Sequence, residues 1–152
     1  MLWNAKEIGL YLKEKAYIDT VIVPMIPLSF SDRTRQEAEQ AEFITLLTSL
    51  LEKQFKGRML LVPPFTYLSG QGKGEAEKLQ EWIKELEANE FEHVFCLTSD
   101  SEWKEYEQEL GGKLIWMPSI PLEHMEEKYK RKIIDDQVNQ LVKLIVQKWQ
   151  SN

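Results

Sequence analysis

Four short runs of apolar residues alternate along the chain with longer segments in which apolar residues recur every three or four positions. The runs cover residues 20–24, 58–62, 93–98 and 113–117. Each run is nearly continuous in apolar residues, which is typical of a strand covered on both faces and therefore of a parallel sheet. The longer segments predict amphipathic helices before, between and after these strands.

The helical segments carry start and stop signals. A first helix is predicted to open at Asn4, because Glu7 stands at the capping-box spacing, and Gly57 is predicted to end the second helix in a left-handed conformation. The remaining helices are expected from residue 33 onward, over about 75–89, from about 99 to 111 and after 121. The charged stretch 123–132 either continues the last helix or forms a separate turn, and the pattern leaves both possibilities open.

The alternation of helices and strands predicts an α/β fold. Right-handed crossovers between parallel strands lead to a three-layer sandwich with a four-stranded parallel sheet. We expect the strand order 2-1-3-4 of a flavodoxin-like winding, in one domain spanning residues 1–152.

Composition narrows the class of protein. Hydrophobic residues make up 43% and charged residues 29% of the 152, as in a globular domain. The net charge of -6 argues against nucleic-acid binding, which needs cationic surface. The N-terminal segment lacks the features of a signal peptide, and no apolar run reaches the ~20 residues that cross a bilayer, so a cytoplasmic location without membrane binding is expected.

The single cysteine, Cys96, lies in an apolar run and is expected to be a buried, inert thiol.

Prolines and hydroxyl residues follow the predicted strands, at the edge where open parallel sheets bind ligands. Four of the six prolines are Pro24, Pro27, Pro63 and Pro64. They predict either the ends of strand pairing or a stiff rim around a crevice. The glycine-rich segment 69–74 misses both the phosphate-loop and the dinucleotide spacing and predicts a mobile connection.

The segment after the first strand predicts an anion site. Its hydroxyl and guanidinium groups belong to Ser29, Ser31, Arg33, Thr34 and Arg35. They stand at the start of a helix, where free N–H groups and the macrodipole attract anions. The spacing of the hydroxyls resembles the phosphate-binding turn of flavodoxins, although Asp32 replaces a glycine of that family and would repel phosphate. The alternative is ordinary N-capping by Ser31 or Asp32.

A second loop is expected to face this segment where the winding reverses. It contributes Ser99 and Asp100 to the predicted ligand site, and Asp100 opposes an anion in the same way as Asp32. No complete catalytic, cofactor or metal motif is present, so we expect no cofactor and no bound metal.

One stretch of the chain is strongly acidic. Residues 75–110 hold twelve acidic and three basic residues, a net charge of -9, while the rest of the chain carries +3. The third and fourth helices are expected on one side of the sheet, where their outer surfaces would merge. Such a face serves solubility or docks a basic protein partner.

Two resemblances bear on these predictions. The segments 3–8 (WNAKEI), 17–20 (YIDT) and 26–29 (IPLS) are similar to the YpiF-like proteins of Bacillus-type bacteria, a family of unknown function. The segments 21–24 (VIVP) and 61–67 (LVPPFTY) resemble the first strand ends of creatininase-type amidohydrolases. Residues 25–30 lack the Glu-x-His metal ligands of that second family, so its resemblance implies a similar winding without the metal site.

Two functions remain open at this point. The leading prediction is a non-catalytic binding or regulatory module, because no polar constellation is dense enough for acid–base or nucleophilic chemistry. The alternative is an enzyme or binding protein that recognises a phosphate-like anion through Arg33 and Arg35.

Overall fold

Five parallel strands form the central sheet in a computed structural model that describes residues 1–151. The strands are β1 (Thr20–Leu28), β2 (Met59–Leu61), β3 (Phe65–Leu68), β4 (His93–Thr98) and β5 (Leu114–Trp116). Four of them lie in the order β2-β1-β4-β5, the order predicted for the four apolar runs. The fifth strand, β3, was not predicted. It pairs with the second half of β1, on the same side as β2.

Helices cover both faces of the sheet. They are α1 (Ala5–Lys13), α2 (Thr34–Gln54), α3 (Lys73–Ala88) and α4 (Glu127–Gln150), and two 3-10 segments span Lys15–Tyr17 and Ser101–Tyr106. Phe43 of α2 and Leu141 of α4 belong to the apolar core on one face. Leu79 of α3 and Trp103 of the second 3-10 segment belong to the core on the other face. The three-layer arrangement is therefore confirmed.

Strand β1 contains two prolines, so the prediction that it ends at Pro24 is wrong. Val62 N donates to Ile22 O and Ser69 N donates to Leu28 O. The backbone N–H and C=O positions of the even-numbered residues of β1 therefore point toward β2 and β3. Pro24 therefore faces the break between those two strands. Pro27 faces the other side, beyond the last residue of β1 that is paired with β4. Neither proline removes a ladder hydrogen bond, which is why the central strand tolerates both.

The helix ends confirm some predictions and correct others. Asn4 Oδ1 accepts a 2.8 Å bond from Glu7 N, so α1 starts with the predicted cap. Gly57 has no positive φ, and α2 ends at Gln54 without a left-handed glycine. The predicted fourth helix is instead the short 3-10 segment followed by turns.

The last helix is a single element that begins at Glu127. Residues 123–126 precede it without helical structure, and His124 has a φ of 68°. The charged stretch 123–132 is thus divided between a turn and the first residues of α4. No helix among residues 1–151 combines the length and the apolar character that crossing a membrane requires.

Candidate functional site

A cavity of about 240 Å³ opens at the carboxyl edge of the sheet, and we call it the acidic pocket. It lies between the end of β3, the glycine-rich loop before α3 and the second 3-10 segment. Its carboxylates are Glu75, Asp100, Glu102 and Glu105, and its aromatic rings are Tyr67, Trp103 and Tyr106. None of the described residues that line it is basic, so its electrostatic potential favours a cation.

Asp100 is a buried carboxylate of the acidic pocket, and both of its oxygens accept hydrogen bonds. It is 6% exposed, and its Oδ2 accepts a 2.7 Å hydrogen bond from the Tyr67 hydroxyl. Its Oδ1 accepts from Glu102 N at 3.0 Å, which caps the 3-10 segment. Burial raises the pKa of Tyr67, and the charge of Asp100 raises it further. Tyr67 therefore keeps its proton and holds the carboxylate in one orientation.

Glu75 is a second buried carboxylate, in the first turn of α3 and 5% exposed. The N-terminal end of the helix dipole favours its negative charge. The only ion pair of Glu75 among residues 1–151 is with the exposed Lys78, whose Nζ lies 3.4 Å from Oε1. A buried carboxylate with so little compensation attracts a cationic ligand.

Aromatic rings build the wall of the acidic pocket. The rings of Tyr67 and Trp103 meet edge to face with centroids 5.1 Å apart, and Trp103 meets Tyr106 at 6.0 Å. Edge-to-face pairs of this kind are favourable in themselves, and the two rings of Tyr67 and Trp103 are almost fully buried. The wall is thus held by packing as well as by the Tyr67 hydrogen bond.

The glycine-rich loop closes one side of the acidic pocket. Gly72 has a φ of +55°, and a Cβ at this position would lie 3.1 Å from the Tyr106 hydroxyl. Both the backbone conformation and the close approach require glycine here. This requirement explains Gly72 without any phosphate-binding role.

The hydroxyl residues of the predicted anion site do come together. Ser29 Oγ lies 3.2 Å from Ser31 Oγ, and Thr34 Oγ1 donates to Ser29 O at 3.0 Å. Ser29 also donates to Glu37, a buried carboxylate in the first turn of α2 that Ser69 contacts as well. These hydroxyls are therefore engaged within the loop itself.

The arginines of the predicted anion site are paired with glutamates. Arg33 Nη1 lies 3.6 Å from Glu102 Oε1, so the two predicted loops are neighbours. Arg35 Nη2 lies 2.6 Å from Glu123 Oε2. Ser99 is buried, and its hydroxyl has no hydrogen-bond partner among residues 1–151. Anion binding at residues 29–35 stays a prediction.

Sequence reasoning identified Asp100 but missed the other groups that surround it. Tyr67, Glu75 and Tyr106 stand in three separate segments, each without a motif. One available signal was the alternation of apolar Phe65 and Tyr67 with polar Thr66, which is typical of a strand that is buried on one face.

Two further groups lie outside the acidic pocket. Asp19, Glu92 and His93 place potential metal-ligand atoms within 4.8 Å of one another at the opposite edge of the sheet. Asp19 already accepts 2.9 and 3.2 Å hydrogen bonds from Arg58, which compensates its charge. Cys96 is buried as predicted, and burial raises the pKa of its thiol to about 12, so it is no nucleophile at neutral pH.

Comparison with known proteins gives a consistent family assignment. Residues 9–149 match the family model described as "Protein of unknown function (DUF2487)". The chain is 37% identical over 149 residues to the "Uncharacterized protein YpiF" of Bacillus subtilis (strain 168), covering 98% of each chain. No solved structure gives a significant match. The YpiF-like resemblance is confirmed, whereas these comparisons do not show the creatininase resemblance. The chain therefore belongs to the DUF2487 family.

Proposed function

We propose that this protein is a non-catalytic binding module whose acidic pocket takes up an ammonium or guanidinium group of its ligand. The observation that carries the proposal is the pair of buried carboxylates, Asp100 and Glu75, in a cavity without a basic lining residue among residues 1–151. A cation entering the acidic pocket forms charge-assisted hydrogen bonds with these oxygens. It also meets the rings of Tyr67, Trp103 and Tyr106, whose quadrupoles attract positive charge.

The size of the acidic pocket supports a side-chain-sized ligand group. Its 240 Å³ lies below the roughly 300–1,000 Å³ that is typical of pockets for whole small molecules. A guanidinium or ammonium on a short alkyl stem suits this volume.

The side chains around the acidic pocket favour binding over catalysis. Both oxygens of Asp100 already accept hydrogen bonds, and Tyr67 keeps its proton because burial raises its pKa. Cys96, His93 and His124 are not among the lining residues. No cysteine, serine, threonine, lysine or histidine stands among the lining residues, so the acidic pocket lacks the usual pairing of a nucleophile with a base.

The competing candidate is a phosphate-like anion at the loop 29–35. The hydroxyls of Ser29, Ser31 and Thr34 favour it, because they cluster before the N-terminus of α2. The glutamates paired with Arg33 and Arg35 weaken it, since an anion would have to displace them. A cation in the acidic pocket meets Asp100, which has no ion pair among residues 1–151, although Glu75 and Glu102 are paired with Lys78 and Arg33.

A thermal-shift panel separates the two ligands. Agmatine, spermidine and arginine amide are compared with inorganic phosphate, since a ligand that binds the folded state raises Tm by mass action. We expect the cationic compounds to raise Tm in the wild type and to lose their effect in Asp100→Asn and Glu75→Gln. The matched control is Glu107→Gln, an exposed acid outside the lining of the acidic pocket. A response to phosphate alone would refute the proposal and favour the anion site.

A further inference from the structure

The acidic pocket is one end of a longer groove along α3. A second depression, of about 340 Å³, shares Tyr67 and Glu75 with the acidic pocket. It shares Glu81 and Trp82 with a third depression of about 380 Å³. The three cavities therefore share lining residues along α3, beside β3 and the segment that joins β2 to β3.

The far end of this groove is apolar with an acidic rim. Its apolar wall consists of Trp3, Val62, Pro63, Trp82 and Leu86. Glu81 and Glu85 form the rim, and both are exposed. Trp3 is 58% exposed, although a large aromatic side chain is normally buried in a core or an interface.

We infer that the natural ligand is a basic segment of a partner protein that lies along α3, with a lysine or arginine in the acidic pocket and an apolar side chain on Trp3 and Trp82. This inference rests on the proposed function. The charge of the groove favours a basic partner. Glu75, Glu81 and Glu85 line the groove, and Lys78 is the one cation among its described lining residues. The stretch 75–110, which contains α3 and the second 3-10 segment, carries a net charge of -9, and such a charge attracts a basic partner over a longer range.

The length of the groove separates a peptide from a small amine. From Glu75 to Leu86, α3 advances about 16 Å at its rise of roughly 1.5 Å per residue. A single amine in the acidic pocket cannot reach Trp3, whereas about five residues of extended chain span this distance. Two anchors joined by one chain bind more tightly than either anchor alone, because the second contact is intramolecular.

End-blocked synthetic peptides test the inference. Each peptide carries one arginine and one leucine separated by two to twelve alanine or serine residues. We expect the best spacing to bind about tenfold more tightly than arginine amide acetylated at its α-amino group, a gain of roughly 1.4 kcal/mol by the affinity relation. Binding should weaken as salt rises and should be lost when citrulline replaces the arginine.

Variants assign this gain to the groove. Trp3→Ala should abolish the tenfold gain and leave arginine-amide binding unchanged, whereas Asp100→Asn should weaken both. The matched control is Tyr129→Ala, which removes an aromatic ring of similar exposure from α4.

Three results would overturn the inference. The first is that arginine amide binds but no peptide binds more tightly than it does, which leaves the proposed function intact. The second is peptide binding that is insensitive to Trp3→Ala. The third is a concentration-dependent dimer that Trp3→Ala abolishes, because a second copy of the chain would then occupy the groove. If neither arginine amide nor the peptides bind, the proposed function itself is refuted.

Discussion

The hydroxyl of Tyr67 donates a 2.7 Å hydrogen bond to Oδ2 of Asp100. This bond joins the edge strand β3 to the residue that caps the 3-10 segment 101–106. It compensates a buried carboxylate and fixes the orientation in which Asp100 meets the acidic pocket. Pocket shape and pocket charge therefore depend on the same pair of side chains.

Tyr67→Phe should lower the free energy of unfolding by about 1–3 kcal/mol, because it leaves a buried carboxylate oxygen without its donor. The ring and its packing against Trp103 are retained, so the change isolates the hydroxyl. Urea denaturation measures the difference, with Tyr129→Phe on the exposed face of α4 as control. Equal stabilities of Tyr67→Phe and the wild type would show that the bond contributes nothing.

Gly72→Ala should destabilise the protein by about 1 kcal/mol, since an L-residue at positive φ is strained. The new Cβ would also crowd the Tyr106 hydroxyl at 3.1 Å. Gly74→Ala is the matched control, because Gly74 has no positive φ and nothing lies within 4 Å of the added Cβ. If both variants unfold at the same urea concentration, the account of the glycine-rich loop is wrong.

Asp19 should make stability depend on pH. Burial alone would raise its pKa, but hydrogen bonds from Arg58 and Thr20 outweigh burial, and the net result is a lowered pKa. The stabilisation is therefore fully present above the unfolded carboxyl pKa of about 3.9 and is lost as pH falls through the lower folded pKa. Arg58 also lies 3.9 Å over the ring of Trp149, so this network anchors the end of α4.

Asp19→Asn should cost about 1 kcal/mol at pH 7, a modest value because both partners are partly exposed to solvent. The difference from the wild type should shrink as the pH is lowered from 4 toward 3. Denaturation curves at several pH values measure it, and Asp136→Asn, at an exposed position of α4, is the control. A cost that stays constant over this range would contradict the lowered pKa.

Cys96 should resist alkylation by iodoacetamide at pH 8 in the folded protein and react at once in urea. Burial raises the pKa of its thiol to about 12, so almost no thiolate forms at pH 8. Mass spectrometry of the two samples decides the question. Rapid alkylation under native conditions would show that the thiol is accessible.

Strands β1, β2, β4 and β5 were predictable because each is a nearly continuous apolar run that can be recognised from its own residues, whereas β3 was not predicted. The extension of β1 through Pro24 and Pro27 was not predictable, since it depends on where β3 and β4 begin and end. Asp100 was predicted as a site residue because it follows a recognisable strand in the sequence. Glu75 and Tyr106 enter the acidic pocket only through tertiary packing, which no local pattern indicates. The 3-10 segment was mistaken for a helix because Trp103 and Tyr106 stand at a spacing that both structures share.

The central claim is that Asp100 makes the acidic pocket a site for a cationic group. Calorimetric titration of arginine amide and its analogue citrulline amide, both acetylated at the α-amino group so that the guanidinium is the only charge, into the wild type and Asp100→Asn tests it most directly. The account predicts that the wild type binds arginine amide at least about tenfold more tightly than citrulline amide, and that Asp100→Asn loses this preference. Equal affinities of the wild type for the two compounds, or a preference that survives in Asp100→Asn, would contradict it.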